Sequence, residues 1–507
     1  MGLGLALAAL QAIWSVSIPL MASPDEPSHV VRAAAVARTQ WSAAPSGAQA
    51  DPAEPGPPAT VHLPSDYLAV SRLSACFAHL PYVAASCQQP IPAPDGTTVA
   101  VDTFAGQYPP LYYLLVGWPS LFLSAKASVY AMRLVSGVIA AALTVWGLYR
   151  LRTTTLPAAW TWAAVAALTP MTLFVGAMVN PQGLEISSAF AFWAACLVLA
   201  RSSGTPSRGT LVQLALSGAL LLNTRASGPV WALTIVVVAL VVAPKGRLRL
   251  LRKLPSVRWT LAIGVVAGLA AATWVATHGA IATGDRRYPE FTSPFRAAWF
   301  ELAQTAEHLL QMIGNFGWLD TPSPILTVMV WIALVGTLLA VSVAAAGGPL
   351  RVALLLSALA VVVMPVALQV PTAADTGLIW QGRYTLPIAV GVPMVAAIAL
   401  TSVAGPFDEL ARRIVRWMAV PAVAMAHVAA FWWAMRRYAV GVDGRLLTRS
   451  PEWSSPLGYL TAVAVYAVAV AVVACVAWFT LRPSGATNAL APTSDEAADE
   501  LGAPAAA

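Results

Sequence analysis

The stretch "YPPLYYLLVGWPSLFL", residues 108–123, decides how the rest of the chain is threaded. It is apolar, yet short for a crossing and interrupted by Pro109, Pro110 and Pro119. A spanning helix needs roughly 20 apolar residues. Proline removes a backbone donor and clashes with the preceding turn. The segment is therefore read as an interfacial or re-entrant helix. Counting it as a span would invert everything downstream.

Outward from it, the 507 residues are 58% hydrophobic and 10% charged, with mean hydropathy +0.70. A soluble domain is about a quarter charged. Apolar runs lie at 3–22, 129–149, 158–178, 184–200, 211–223, 226–243, 259–278, 325–345, 351–370, 385–403, 417–435 and 457–481. The expected fold is all-α, a polytopic transmembrane bundle of about 12 spans with its N-terminus inside. Residues 1–481 form one transmembrane domain in this reading, and 482–507 a disordered cytoplasmic tail. The first run lacks the charged flank and the short apolar core of a signal peptide, so it is read as the first span. The missing basic flank points to a start further upstream.

Lysine and arginine support this threading. The short loops assigned to the cytoplasm hold 15 of 29 basic residues, and the longer outer segments hold 16 of 22 acids. Such short-loop bias orients helices. It also accounts for the net charge of +7 through anionic lipid, with no nucleic-acid partner implied. Arg436, Arg437, Arg445 and Arg449 resist, because they fall outside. The outer loops are 23–128, 279–324 and 371–384. The first contains a Pro/Ala/Gly-rich stretch, 42–60, expected to be flexible. The second contains "FRAAWFELAQTAEHLLQMIGNF", an amphipathic segment suited to lie along the interface. Cys76 and Cys87 fall in the first loop, where a disulfide is plausible if that loop is extracytoplasmic. Cys196 and Cys475 lie in apolar helices. There is no Walker A loop, dinucleotide-binding fingerprint or zinc spacing.

Polar residues interrupt the apolar pattern at a few places. In "MASPDEPSHVVRAAAVART" (21–39), Asp25 and Glu26 stand between two prolines, with His29 nearby. A carboxylate at the lipid boundary is costly unless paired, solvated or metal-bound. Capping by Ser23 or Asp25 would explain one acid. A general base or a metal-binding carboxylate would explain the other. Other islands are Asn180, Gln182 and Glu185 in "MVNPQGLE", Asn223 and Arg225 in "LLNTRASG", and Asp320 in "GNFGWLDTPSP". A fifth is Gln381, Arg383 and Tyr384 in "GLIWQGRYTLP". All fall on the outer side of this threading, as does Tyr108, and together they suggest a polar pocket. Arginine suits a phosphate ligand because its fork binds two oxygens. Arg133, mid-helix, is read as a snorkelling or paired structural residue.

These motifs, P-D-E-P-x-H, "QYPPLYYL", "TPMTLFVGAMVNPQGLE", "GNFGWLDTP" and "QGRYTLP", resemble a bacterial membrane family catalogued as domain-of-unknown-function family 2142. The resemblance covers roughly 3–480, with the motifs in order. That family in turn resembles the C-type glycosyltransferases, which use polyprenyl-phosphate-linked sugars outside the membrane. The resemblance implies Asp25 as general base or metal carboxylate, with Glu26 supporting it and Arg383 holding the donor phosphate. His29, Tyr108, Asn180, Asp320, Gln381 and Tyr384 would complete the substrate site. Where many such enzymes place an acid in the second outer loop, this chain has Asn180, with Glu185 five residues later. A divalent cation, on Asp25 if anywhere, is therefore an open question. The implied partners are membrane lipid, a polyprenyl-phosphate sugar and a cell-envelope acceptor. The rival readings are a transporter or flippase of lipid-linked glycan and a non-catalytic envelope-assembly protein. A transporter places broken helices and charge near the midplane, often in repeated halves. Here the polar residues gather on one side and no repeat is visible.

Overall fold

The computed structural model describes residues 2–42, 44–45, 59–278, 287–402, 407–446 and 448–481. Most of the 42–60 stretch and the whole of the 482–507 tail lie outside the described residues. The fold is a bundle of long apolar helices. Eight of the described helices are long and apolar enough to cross a bilayer. Two bent pairs raise that to ten: Pro157–Ala167 with Pro170–Gly176, and Gly228–Val242 with Arg247–Lys253. The two remaining apolar runs form the shorter helices Gly2–Ser17 and Arg208–Leu222. By length alone, eight to ten segments qualify where the sequence suggested about twelve. The difference is these two helices, since 16 residues rise only about 24 Å.

Local chemistry starts many of these helices. Pro157, Pro170 and Pro181 occupy first-turn positions, where a missing N–H costs nothing. Thr169 and Asn180 cap the last two through their side-chain oxygens. The Pro181–Arg201 helix is the axis of the bundle, buried over 94% of its apolar window, and is correspondingly apolar all round. It packs so closely on the Gly382–Thr401 region that a Cβ on Gly391 would collide with the Trp193 indole. The peripheral Pro255–His278 and Tyr459–Thr480 helices bury only 11% and 17% of theirs. Their exposed Val, Leu and Trp faces suit lipid.

Gly2–Ser17 is an integral member of this bundle. Trp14 is fully buried among Phe174, Phe316, Phe431 and Tyr466, and its Nε1 donates to the Tyr466 hydroxyl at 3.1 Å. The 108–123 segment forms a seven-residue helix, Leu111–Gly117, followed by a single 3-10 turn at Trp118–Leu121. Seven residues rise about 10 Å, too short to cross. This helix lies on the Glu26–Ala37 helix, where a Cβ on Gly117 would strike the Ala33 carbonyl. Its tyrosines turn inward: the Tyr112 hydroxyl lies 2.6 Å from Ser136 Oγ and the Tyr113 hydroxyl 2.9 Å from His29 Nδ1. Leu114, Trp118 and Phe122 point outward.

The first loop is more structured than its composition suggested. Ala59–Pro64 pairs antiparallel with Thr98–Thr103, in a register that places Val61 opposite Val101 and Leu63 opposite Val99. Alternate residues Ala59, Val61 and Leu63 face inward, the period-2 pattern of a half-buried strand. Cys76 and Cys87 are joined by a disulfide in the same loop. The 295–316 segment forms two helices, Pro294–Ala303 and Thr305–Gly314. Phe295, Trp299 and Leu309 are exposed on them, while Ala297, Glu301 and His308 are buried.

One ion pair joins the first loop to the bundle. Glu26 and Arg133 are both fully buried. Arg133 donates through Nε and Nη2 to the two Glu26 oxygens, at 2.7 and 2.6 Å. Its remaining donors reach the carbonyls of Ser15, Ile18 and Pro19, and Glu26 Oε1 also accepts from the Val179 amide. Those carbonyls are acceptors left unsatisfied where the first helix ends. Removing one partner of such a pair leaves an uncompensated buried charge, worth about 3–5 kcal/mol. Arg133→Met or Glu26→Gln should therefore each lower the melting midpoint of the purified protein by several degrees. The Glu26→Gln/Arg133→Met double variant should recover part of the loss. Single variants melting with wild type would show that the pair carries no such weight.

Candidate functional site

The turn 23–26 holds the two acids in opposite directions. Asp25 adopts a left-handed backbone, φ 62° and ψ −1°, at the start of the Glu26–Ala37 helix. Its side chain makes no capping hydrogen bond, and Ser23 Oγ is buried with no partner among the described residues. Neither residue serves as the side-chain cap, so capping does not explain the acids. A non-glycine residue in this conformation is held there by its surroundings. Pro24 accepts from Asn180 Nδ2 at 3.2 Å, and Glu26 is locked by Arg133. The consequence is that Glu26 faces the core while the Asp25 carboxylate stays 27% exposed.

Asp25 Oδ2 accepts from Arg383 Nη2 at 2.7 Å. Arg383 begins the Gly382–Ala389 helix and is 1% exposed. Its Nε and Nη1 have no partner among the described residues, and neither has the buried Gln381 Oε1. Gly382 brings this turn against the Thr305–Gly314 helix, where its amide donates to Gln311 Oε1 at 2.7 Å. Tyr384 has both the Arg383 and Arg225 guanidiniums over its ring, at 5.2 and 4.8 Å from the centroid. Its own hydroxyl lies 3.4 Å from Arg383 Nη2.

Arg225 completes the cluster. It sits between two apolar helices, pairs with buried Glu185 at 3.3 Å and lies 5.8 Å from the centroid of the Tyr108 ring. Glu185 is held in turn by Ser227 Oγ at 2.6 Å and Trp231 Nε1 at 2.9 Å. The sequence placed Arg225 in one of the polar islands of the suggested pocket but gave it no part in binding substrate. Only the packing of the 223–227 turn against Tyr108 and Tyr384 reveals its place. His29 is nearly buried, edge-on to Tyr108 at 5.3 Å and hydrogen-bonded to Tyr113. Burial lowers its pKa to about 3, with Arg225 and Arg383 adding to the effect and Asp25 opposing it. The imidazole is therefore neutral. Burial likewise pushes the Tyr108 and Tyr113 phenols up, keeping them protonated.

Asp25, His29, Tyr108, Gln381, Arg383 and Tyr384 thus belong to one end of the bundle, with Arg225 added. Three of the residues expected in the site have other duties. Glu26 is consumed by Arg133. Asn180 spends its side chain on two contacts, accepting from the Gln182 amide at 3.0 Å and donating to Pro24. It positions the acidic turn. Asp320 pairs with Arg437 at 2.8 Å and accepts from Thr321 Oγ1 at 2.9 Å. Arg437 also donates to the Phe77 and Leu80 carbonyls, each at 2.9 Å. Arg437 therefore ties the first loop to the helix Val420–Val440, and Asp320, from the second outer loop, holds it in place. Two of the four arginines that resisted the charge rule are accounted for in this way. Arg437 and Arg436 are spent on backbone carbonyls of nearby loops, so they are not free loop charges.

The donor set does not suit a divalent cation. Such an ion takes several hard oxygen ligands. Glu26 and Glu185 have theirs occupied, and Asp25 is paired with the Arg383 guanidinium. Among the described residues no group of three or more His, Cys, Asp or Glu side chains could hold a metal. The free donors of Arg383 suit an anion instead.

Long apolar helices, a buried polar end and a folded first loop define a multi-pass membrane protein. The chain belongs to the family described as "Predicted membrane protein (DUF2142)", whose model matches residues 9–392. No curated protein matches it significantly. Among solved structures it is similar to ArnT from Cupriavidus metallidurans bound to undecaprenyl phosphate, at 16% identity and a TM-score of 0.45. The match covers 94% of this chain and 76% of that one. The apo form of ArnT gives 15% identity, a TM-score of 0.44 and the same coverage.

His29 provides a test of the site's charge state. Its folded pKa of about 3 lies below the ordinary 6.5, so the unfolded chain binds the extra proton between these values. The stability that neutral His29 contributes is complete above pH 6.5 and is lost as pH falls toward 3. His29→Gln should flatten the melting midpoint against pH over that window. A profile as steep as wild type would mean that His29 is not held neutral.

Proposed function

We propose that this protein is a membrane glycosyltransferase that moves a sugar from a polyprenyl-phosphate donor to an extracytoplasmic cell-envelope acceptor. The observation that carries this reading is the Asp25–Arg383 pair. It joins a partly exposed carboxylate to a buried guanidinium with two unpartnered donors. Such a pair can serve a base and an anion at one place.

In the proposed reaction, Asp25 takes the proton of an acceptor hydroxyl through Oδ1, which has no partner among the described residues. The acceptor oxygen bonds to the anomeric carbon as the bond from that carbon to the phosphate oxygen breaks. The electron pair leaves on the lipid phosphate, whose growing charge is met by Nε and Nη1 of Arg383. Arg225, across the Tyr384 ring, strengthens the field at the leaving group. Neutral His29 and the protonated tyrosines offer hydrogen bonds without adding charge.

The position of this cluster favours transfer over transport. Its titratable groups meet at one end of the bundle, where the first loop packs. A transporter would be expected to carry them at the midplane between repeated halves. The test uses purified protein in nanodiscs with a panel of polyprenyl-phosphate-linked sugars, following release of polyprenyl phosphate. Wild type should release it. Asp25→Asn should lose at least about 100-fold in rate, the usual scale for a general base, at unchanged melting temperature. Equal release by both would strip Asp25 of that role. No release with any donor would defeat the glycosyl-transfer reading.

A further inference from the structure

Gln182 lies in the first turn of the Pro181–Arg201 helix and is 2% exposed. Neither its Oε1 nor its Nε2 has a partner among the described residues. Leaving a buried polar group unmade costs about 1–3 kcal/mol, so buried amides are usually paired. Gln213, Gln311 and Gln369 follow that rule, while Gln11 leaves its Oε1 unpartnered among the described residues. Gln213 accepts from Arg150 at 3.2 Å and donates to the Ala191 carbonyl at 2.9 Å. Gln369 accepts from the Ile379 amide and donates to the Gly377 carbonyl. Gln182 departs from it on both atoms.

Its position relates it to the proposed site. Asn180, two residues earlier, donates to the Pro24 carbonyl, and Arg383 donates to the Asp25 carboxylate. The first turn of this helix and Arg383 therefore meet the chain at consecutive residues. Arg383 brings two unpartnered donors to that junction, while Gln182, one turn before Glu185 and so on the helix face that reaches Arg225, leaves an unpartnered acceptor and an unpartnered amide nitrogen. The two groups ask for different chemistry. A guanidinium has only donors and calls for an anion. An amide both donates and accepts, as a hydroxyl does.

We propose that Gln182 binds the sugar hydroxyls of a ligand whose phosphate is held by Nε and Nη1 of Arg383, so that the site selects a sugar phosphate over a bare lipid phosphate. This inference rests on the glycosyl-transfer reading and adds its specificity determinant. A bare polyprenyl phosphate satisfies Arg383 and leaves Gln182 unpaired, whereas a sugar phosphate satisfies both.

The experiment compares wild type, Gln182→Met and Arg383→Gln in nanodiscs. The probes are polyprenyl phosphate, a polyprenyl-phosphate-linked hexose and pentose, and a soluble hexose 1-phosphate. Wild type should bind at least one sugar-bearing lipid roughly tenfold or more tightly than polyprenyl phosphate. Gln182→Met should remove that advantage, a loss of about 10- to 100-fold for one or two hydrogen bonds, without changing affinity for polyprenyl phosphate. Arg383→Gln should weaken both lipids. Ligand-free Gln182→Met should melt at or above the wild-type temperature, since an unpaired amide is replaced by an apolar chain of similar length. Binding of the soluble ester with the same Gln182→Met loss would support the site and assign its source to a water-soluble sugar phosphate. The inference is overturned if wild type binds bare and sugar-bearing lipids equally, or if Gln182→Met weakens both alike. It is also overturned if the ligand-free variant melts several degrees lower, which would make Gln182 a packing residue. Wild type that binds no phosphate ligand would count against the glycosyl-transfer reading itself, and this inference would fall with it.

Discussion

The buried pair of Glu26 and Arg133 is the constraint from which the rest of the molecule follows. An arginine in the middle of a long apolar helix must find acceptors inside the protein, because lipid offers none. Arg133 finds them at the end of the first helix and in a carboxylate just beyond it. That arrangement closes the first helix, sets the angle at which the chain leaves it and fixes the orientation of the next two residues. With Glu26 committed to the core and Pro24 tied to Asn180, Asp25 is turned outward in a left-handed conformation. The stability of the bundle and the exposure of Asp25 come from the same interaction.

The two acids therefore divide their work. Glu26 meets its charge with a bidentate guanidinium and a backbone amide, and is closed to ligand. Asp25 shares a single oxygen with an arginine that still has donors to give. A similar division runs through the other charged pairs. Glu185 is surrounded by donors and steadies Arg225 toward Tyr108 and Tyr384. Asp320 is buried against Arg437 and steadies the guanidinium that holds the first loop to a distant helix. Acids with several partners build the frame here, and the incompletely partnered groups mark the pocket.

Much of this was legible in the residues themselves, for physical reasons. Length and apolarity identify the spanning helices. The double proline and the shortness of 108–123 argued against a crossing, and the seven-residue helix there agrees. The amphipathic pattern of 295–316 appears as two helices with exposed aromatics and buried polar faces. Other features were not legible. The strand pairing of 59–64 with 98–103 depends on a partner almost forty residues away. The bend that leaves 16 residues for the first helix depends on Arg133, more than a hundred residues downstream.

By itself, then, the sequence determined the class of protein, the places where polar chemistry interrupts lipid-facing helices and the family whose motifs it carries. Those are properties of composition and local order, which lipid reads directly along the chain. The tertiary structure alone decided which polar residues share a pocket. It separated Asp25 from Glu26, paired Asp320 with Arg437 and Asn180 with the Pro24 carbonyl, and set Arg225 over the Tyr384 ring. Two adjacent carboxylates look alike in a chain. Their difference arises when one meets a buried guanidinium from another helix and the other does not, and no local pattern specifies that encounter.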